Sequence, residues 1–328
     1  MNGSGFNWLG FWNLVFSALV QRIGVLGREL RQRRGRLVVA GIPMLWLGLF
    51  FLLPFLIVAR ISLTTIDPNA QPPYSSIVTF TQGWQLELHF NLDNYRRLWQ
   101  DGLYLSAYLN SLKTAAISTL LCLMIGFPMA LGIARASTRW RLPLLTMVIV
   151  PFWTSFLIRI YAWIGLLKDQ GPLNNLLLWL GVIDEPLHIL YTNTAVYIGI
   201  VYSYLPFMVL PLTATLLKHD RSLLEAAFDL GCKPMRAFWR ITFPLALPGV
   251  IAGSLLVFIP AVGEFVIPDL LGGPDSLMIG RVLWTEFFQS RDWPLASAVA
   301  MAILLLIVIP TLLFEHLQSR RSEQDARR

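Results

Sequence analysis

The run LNSLKTAAISTLLCLMIGFPMALGIA, Leu109–Ala134, decides the character of this chain. Its single charge, Lys113, stands near the start, where a long side chain can snorkel back to water. As a helix the run would reach about 39 Å at 1.5 Å per residue, more than the ~30 Å of bilayer hydrocarbon. Five further stretches read the same way: Leu37–Ala59, Leu142–Leu167, Thr194–Leu217, Leu247–Leu271 and Leu295–Phe314. Composition agrees. Of 328 residues, 55% are hydrophobic and only 14% charged, with mean hydropathy +0.60, more apolar surface than a soluble core of this length could enclose. The expectation is an all-α membrane protein with six transmembrane helices.

An even number of crossings puts both termini on one side. If that side is cytoplasmic, its flanks carry 18 Lys and Arg against 6 on the other, with Lys113 and Arg159 inside spans. Basic residues accumulate in short cytoplasmic loops, so the orientation expected is N-in, C-in. The net charge of +7 is absorbed by this asymmetry; no basic stripe with interleaved aromatics points to nucleic acid. Segment 1–36 is Trp- and Phe-rich, then basic through Arg28, Arg31, Arg33, Arg34 and Arg36. A signal peptide carries its basic residues first, so this segment reads as a helix lying in the cytoplasmic interface, or alternatively as a disordered tail. The six-span membrane block 37–317 and a basic cytoplasmic tail, 318–328, complete the organisation. Cys122 lies in an apolar run and Cys232 in a basic loop, a poor pair for a disulfide.

Between spans four and five, residues 218–246 are too polar for lipid and too patterned for a plain linker. They read as two short helices. Asp220 can cap the first, which repeats Leu223, Leu224, Ala227 and Phe228 on one face, and Gly231 supplies the left-handed turn that ends it. Pro234 suits the first turn of the second, with Met235, Phe238 and Trp239 on its apolar side. Glu225, Ala226 and Ala227 set a charge beside two small side chains, which allows close approach of a partner backbone. On the opposite side, Arg60–Tyr108 and Gly272–Pro294 form longer loops, and Ile279–Phe288 could make a short amphipathic helix. Pro151, Pro206, Pro211, Pro260, Pro268 and Gly263 interrupt spans three to five, and such breaks suit helices that line a polar path.

The loop resembles that of permease subunits of ABC importers, which carry E-A-A, three residues, G, nine residues, then I-x-L-P. Here stand Glu225, Ala226, Ala227, Gly231, Ile241 and Pro244, with Phe243 in place of the usual leucine. The resemblance implies a type I importer permease bundle (MetI-like) and a coupling helix, Leu224–Lys233, seated in a groove of an ATPase subunit; Asp229 falls within it. A narrower similarity, through Pro43–Pro54, Pro260–Asp275 and Met278–Phe288, is to polyamine-transport permeases, nearest the putrescine branch. It implies a second homologous permease subunit, two ATPase subunits that bind ATP and magnesium, a periplasmic delivery protein, a bacterial inner-membrane location and alternating access. Another small organic cation or an amino-acid-like solute is the alternative cargo.

This chain has no phosphate-binding loop of its own, since Gly231-Cys-Lys233 lacks both the upstream glycine and the following hydroxyl residue. His89, His188, His219 and His316 are scattered without metal-ligand spacing, so neither metal binding nor enzymatic chemistry is expected. Charges within spans carry more meaning, because each costs roughly 2.5–3.5 kcal/mol to insert. Glu264 and Asp269 could line one cationic path, or Glu264 could be the ion-pair partner of Arg159. Tyr161, Tyr202, Tyr204 and Trp284 offer ring faces to ammonium groups, or serve as packing anchors. A self-sufficient channel or secondary carrier would have no use for a docking loop of this spacing.

Overall fold

The computed structural model describes residues 34–308 apart from 68, 76–77, 82–84, 89 and 221. Most of the expected interfacial segment 1–36 and the whole tail 318–328 lie outside the described residues. The chain divides into two units, Met1–Arg60 and Ile61–Arg328.

In the first, an apolar helix runs through α1 (Arg34–Leu47), a π-helical turn (Gly48–Leu52) and α2 (Leu53–Ile61). The wide turn has a local cause. Pro54 has no N–H to give residue 50, and the ladder slips so that the Leu53 N–H reaches the Gly48 carbonyl. Leu45, Trp46 and Phe51 are all exposed, as suits a helix bathed in lipid.

The second unit begins with an outer segment that contains a strand pair the all-α expectation did not include: β1 (Val78–Thr81) runs antiparallel to β2 (Gln85–Leu88), with Val78 opposite Leu88. Next comes α3 (Asp93–Gln100), whose buried Asn94 side chain donates to the Ser62 and Thr64 carbonyls at 3.0 and 2.8 Å. Asp101 then accepts the Leu103 N–H and caps α4 (Gly102–Arg135). The α4 helix packs pairwise with α8 (Asn193–Leu216) and α11 (Phe243–Val262). Cys122 and Phe127 from α4, Met208 and Leu212 from α8, and Ala246 and Val257 from α11 share one buried cluster.

The third stretch departs from a straight span. α5 (Thr138–Ile149) tightens into a 3₁₀ turn at Val150–Trp153, and α6 (Phe156–Leu167) leaves at 90° before α7 (Pro172–Trp179). Pro151 supplies no N–H there, which removes one bond of the helix ladder at this turn. The fifth stretch is longer on one side and shorter on the other than expected. α10 (Pro234–Ala237) continues through a π turn, Phe238–Thr242, directly into α11, so the second loop helix is the base of the span. The break again sits beside a proline, Pro244, and the Phe243 N–H reaches back to Phe238. At its far end the span stops at Val262; Gly263, Glu264 and Phe265 are non-helical, and α12 (Val266–Leu271) is a separate element. The amphipathic segment expected at Ile279–Phe288 is α13 (Ile279–Trp284) with a π turn, Thr285–Gln289.

Among the described residues, four helices are long and apolar enough to cross a membrane: Ala40–Ile61, Gly102–Arg135, Asn193–Leu216 and Pro234–Val262. The bent pair Thr138–Trp153 and Phe156–Trp179 would make a fifth. The sixth expected span, Leu295–Phe314, starts within the apolar helix Trp293–Val308 and continues past the described residues.

Candidate functional site

Two places collect the functional candidates. At the loop between α8 and α11, the Asp220 side chain accepts the Ser222 N–H at 3.0 Å and opens α9 (Ser222–Asp229). This hydrogen bond to the ionised form holds the Asp220 carboxyl below its ordinary value. The helix closes at Gly231, whose φ of +76° is the left-handed region a Cβ disfavours. There the Gly231 N–H donates to the Phe228 carbonyl at 2.8 Å and the Cys232 N–H to the Ala227 carbonyl at 2.9 Å. This pair is the Schellman closure, which satisfies carbonyls that the helix end would leave open.

Glu225, Ala226, Asp229, Gly231, Lys233 and Pro244 are exposed, whereas Leu224, Ala227 and Ile241 are half-buried. Leu230, 88% exposed, stands with Leu223, Phe228, Met235 and Trp239 as an uncovered apolar surface. Behind the loop is a cavity of about 600 Å³, into which Arg135, Arg141, His219 and Glu225 all face. His219 Nε2 donates to the Leu245 carbonyl at 3.0 Å, fixing the loop to the base of α11.

The second place is a cavity of about 460 Å³ lined from α6, α8 and the Gly263–Phe265 break. The break brings Glu264 to its wall. Tyr204 donates its hydroxyl to Glu264 Oε2 at 2.5 Å, and the Val266 and Ile267 N–H groups donate to Oε1 at 3.1 and 3.3 Å. Glu264 is only 8% exposed, yet its carboxylate is well satisfied by these three donors. Gly280 is what lets α13 lie against this turn: a Cβ there would fall within 2.8 Å of the Glu264 carbonyl oxygen.

Arg159 lines the same cavity, but the ion pair with Glu264 weighed from the sequence is not made. Its guanidinium lies over the Phe152 and Phe156 rings, 4.7 and 5.7 Å from their centroids, and its buried Nε and Nη1 have no hydrogen-bond partner. Asp269 does not join Glu264 either; it pairs with Arg281 at 2.9 Å and is not among the residues that line the cavity. Tyr161 is exposed, Tyr202 packs edge-on against Trp163 at 5.3 Å, and neither lines the cavity. Trp284 forms a second layer, stacked at 4.7 Å on Phe265, which does line it. Ser203, Phe152, Phe156, Phe207 and Val266 also line the wall, although the sequence pattern did not point to them. The helical spacing of Phe156 with Arg159, and of Ser203 and Tyr204 with Phe207, is the signal that could have suggested shared faces.

The model of the binding-protein-dependent transport system inner membrane component matches residues 102–323. The chain belongs to that family. It is 44% identical over 269 residues to the Escherichia coli K12 spermidine/putrescine transport system permease protein PotB, covering 82% of this chain and 92% of that protein. The Haemophilus influenzae protein of the same name is 40% identical over 272 residues, 83% of this chain and 90% of the relative. Among solved structures, a bacterial ABC transporter involved in the import of the acidic polysaccharide alginate superposes with a TM-score of 0.65 at 18% identity. The match covers 90% of this chain and 98% of that one, and it shows a shared fold. This permease is therefore a multi-pass inner-membrane subunit of an ABC importer, and its relatives are transport subunits rather than enzymes.

Proposed function

We propose that this permease imports polyamines, with putrescine the preferred cargo, and forms half of a translocation path completed by a second homologous subunit. The observation that carries the substrate class is Glu264: a buried carboxylate among Tyr204, Phe207 and Phe265 at a break in a span. A carboxylate with aromatic faces beside it is the chemistry that replaces water around an alkylammonium. The names of its relatives support the same class.

Energy would come from two ATPase subunits that hold ATP and magnesium, with α9 as the coupling helix. The exposed Glu225-Ala226-Ala227 and the apolar patch around Leu230 support that assignment. A periplasmic binding protein would deliver the polyamine, and the path would alternate between outward- and inward-open cavities. Six crossings with both termini cytoplasmic fit the 18-to-6 distribution of basic residues.

The test is uptake by the whole transporter in cells lacking their own polyamine importers, with putrescine, spermidine, and an amino-acid panel as labelled cargo. Polyamine uptake supports the reading; uptake confined to amino acids removes it. The second cargo class has one observation in its favour, the Arg159 guanidinium in the same cavity, which a solute carboxylate could meet.

A further inference from the structure

Buried polar groups in proteins are almost always satisfied, so an exception asks for an explanation. This cavity contains two. Arg159 keeps Nε and Nη1 buried without a partner, and Ser203, 3% exposed, leaves its Oγ without one. Both line the cavity that Glu264 lines, and the Arg159 guanidinium is held in place by Phe152 and Phe156 rather than by an acid. A fixed cation on the same wall as Glu264, the one carboxylate there among the described residues, does not help a polycation to bind. What it does is limit how much positive charge may enter.

We propose that Arg159 sets the charge ceiling of the site, so that the diamine is admitted in preference to the triamine. The inference rests on the polyamine reading of Glu264. One ammonium of either cargo meets the Glu264 carboxylate, and the Ser203 hydroxyl oxygen accepts one of its N–H groups. The remaining chain must run away from the guanidinium. A diamine leaves one further cation to place, whereas a triamine leaves two, and a cavity of about 460 Å³, roughly 10 Å across if spherical, sets the scale of their separation from the guanidinium. Space does not decide between them, because that volume is within the usual range of small-molecule sites. Charge does. At the effective dielectric of about 20 that describes partly buried groups, repulsion over such distances is worth roughly a factor of ten or more per added cation.

The experiment measures kcat/KM for putrescine and spermidine uptake by the complete transporter carrying Arg159→Gln, Arg159→Lys or Glu264→Gln, with the yield of intact complex recorded for each. Arg159→Gln should move the putrescine-to-spermidine ratio about tenfold toward spermidine, equivalent to about 1.4 kcal/mol. Arg159→Lys, which keeps the charge, should hold the wild-type ratio, and Glu264→Gln should lose both cargoes. Loss of both in Glu264→Gln with an unchanged ratio in Arg159→Gln would sink the Arg159 proposal alone. Normal uptake by Glu264→Gln would remove the site itself, and the proposal with it. Failure of Arg159→Gln to assemble, with Arg159→Lys assembling, would also overturn it, since Arg159 would then be the counter-ion of a partner's acid.

Discussion

Replacing Gly231 by valine should uncouple transport from ATP hydrolysis while the permease still inserts and assembles. The residue sits at φ +76°, and a Cβ placed there meets nothing within 4 Å. The cost is therefore confined to the backbone, about 1–2 kcal/mol for an L-residue in the left-handed region and more for a β-branched one. A penalty of about 2 kcal/mol weighs roughly 30-fold against the native turn. Escaping it means giving up the Gly231-to-Phe228 and Cys232-to-Ala227 hydrogen bonds, and with them the fixed end of α9. Asparagine tolerates this conformation, so the series Asn, Ala, Val should lose coupling progressively. The assay is substrate-stimulated ATP hydrolysis in proteoliposomes, read beside the yield of complex. A flat series, or wild-type stimulation in Gly231→Val, would refute the reasoning.

Orientation can be read from the native thiols, because Cys122 is fully buried and Cys232 is not. An impermeant maleimide should label Cys232 in inverted vesicles and spare it in right-side-out ones; the reverse pattern would invert the proposed topology. Ser111→Ala should lower the thermal midpoint of the detergent-solubilised complex without changing cargo preference. Its Oγ accepts the buried Ile279 N–H at 2.8 Å, and an orphaned buried donor costs about 1–3 kcal/mol. A changed putrescine-to-spermidine ratio would contradict that purely structural role. Finally, the lowered Asp220 carboxyl contributes to the start of α9 above its unfolded value, and that contribution is lost as pH falls through the folded one. Exchange protection across Ser222–Asp229, corrected for intrinsic rate, should therefore fall toward that of Asp220→Ala between about pH 6 and about pH 3. A pH-independent gap between the two would rule out the cap.

What the sequence determined by itself was everything carried by local pattern. Apolar run length located Thr194–Leu217 and the end of Leu109–Ala134 to within one residue, because lipid imposes length and hydropathy on each span separately, but the latter helix starts earlier, at Gly102, beyond the apolar run. Gly231 announced a left-handed turn for the same reason: its backbone freedom is a property of one residue. Of the residues expected to interrupt spans, Pro151 and Gly263 do stand at breaks, whereas Pro206, Pro211 and Pro260 lie inside helices that neighbouring packing keeps continuous despite the missing N–H. Pro151 gave a 90° bend, whereas Pro54 and Pro244 gave only π turns within continuing helices. That outcome depends on what packs beside each break, which no local pattern records. The cavity was decided by tertiary structure alone. Arg159, Tyr204 and Glu264 come from three elements, and hydropathy left Glu264 equally suited to pair with Arg159 or with a cargo. Folding gave Glu264 to Tyr204 and to two backbone N–H groups instead, and left Arg159 lying on two phenylalanine rings. Charge pairing inside a membrane depends on a few ångströms of separation, and that distance is set by how the bent and broken helices meet.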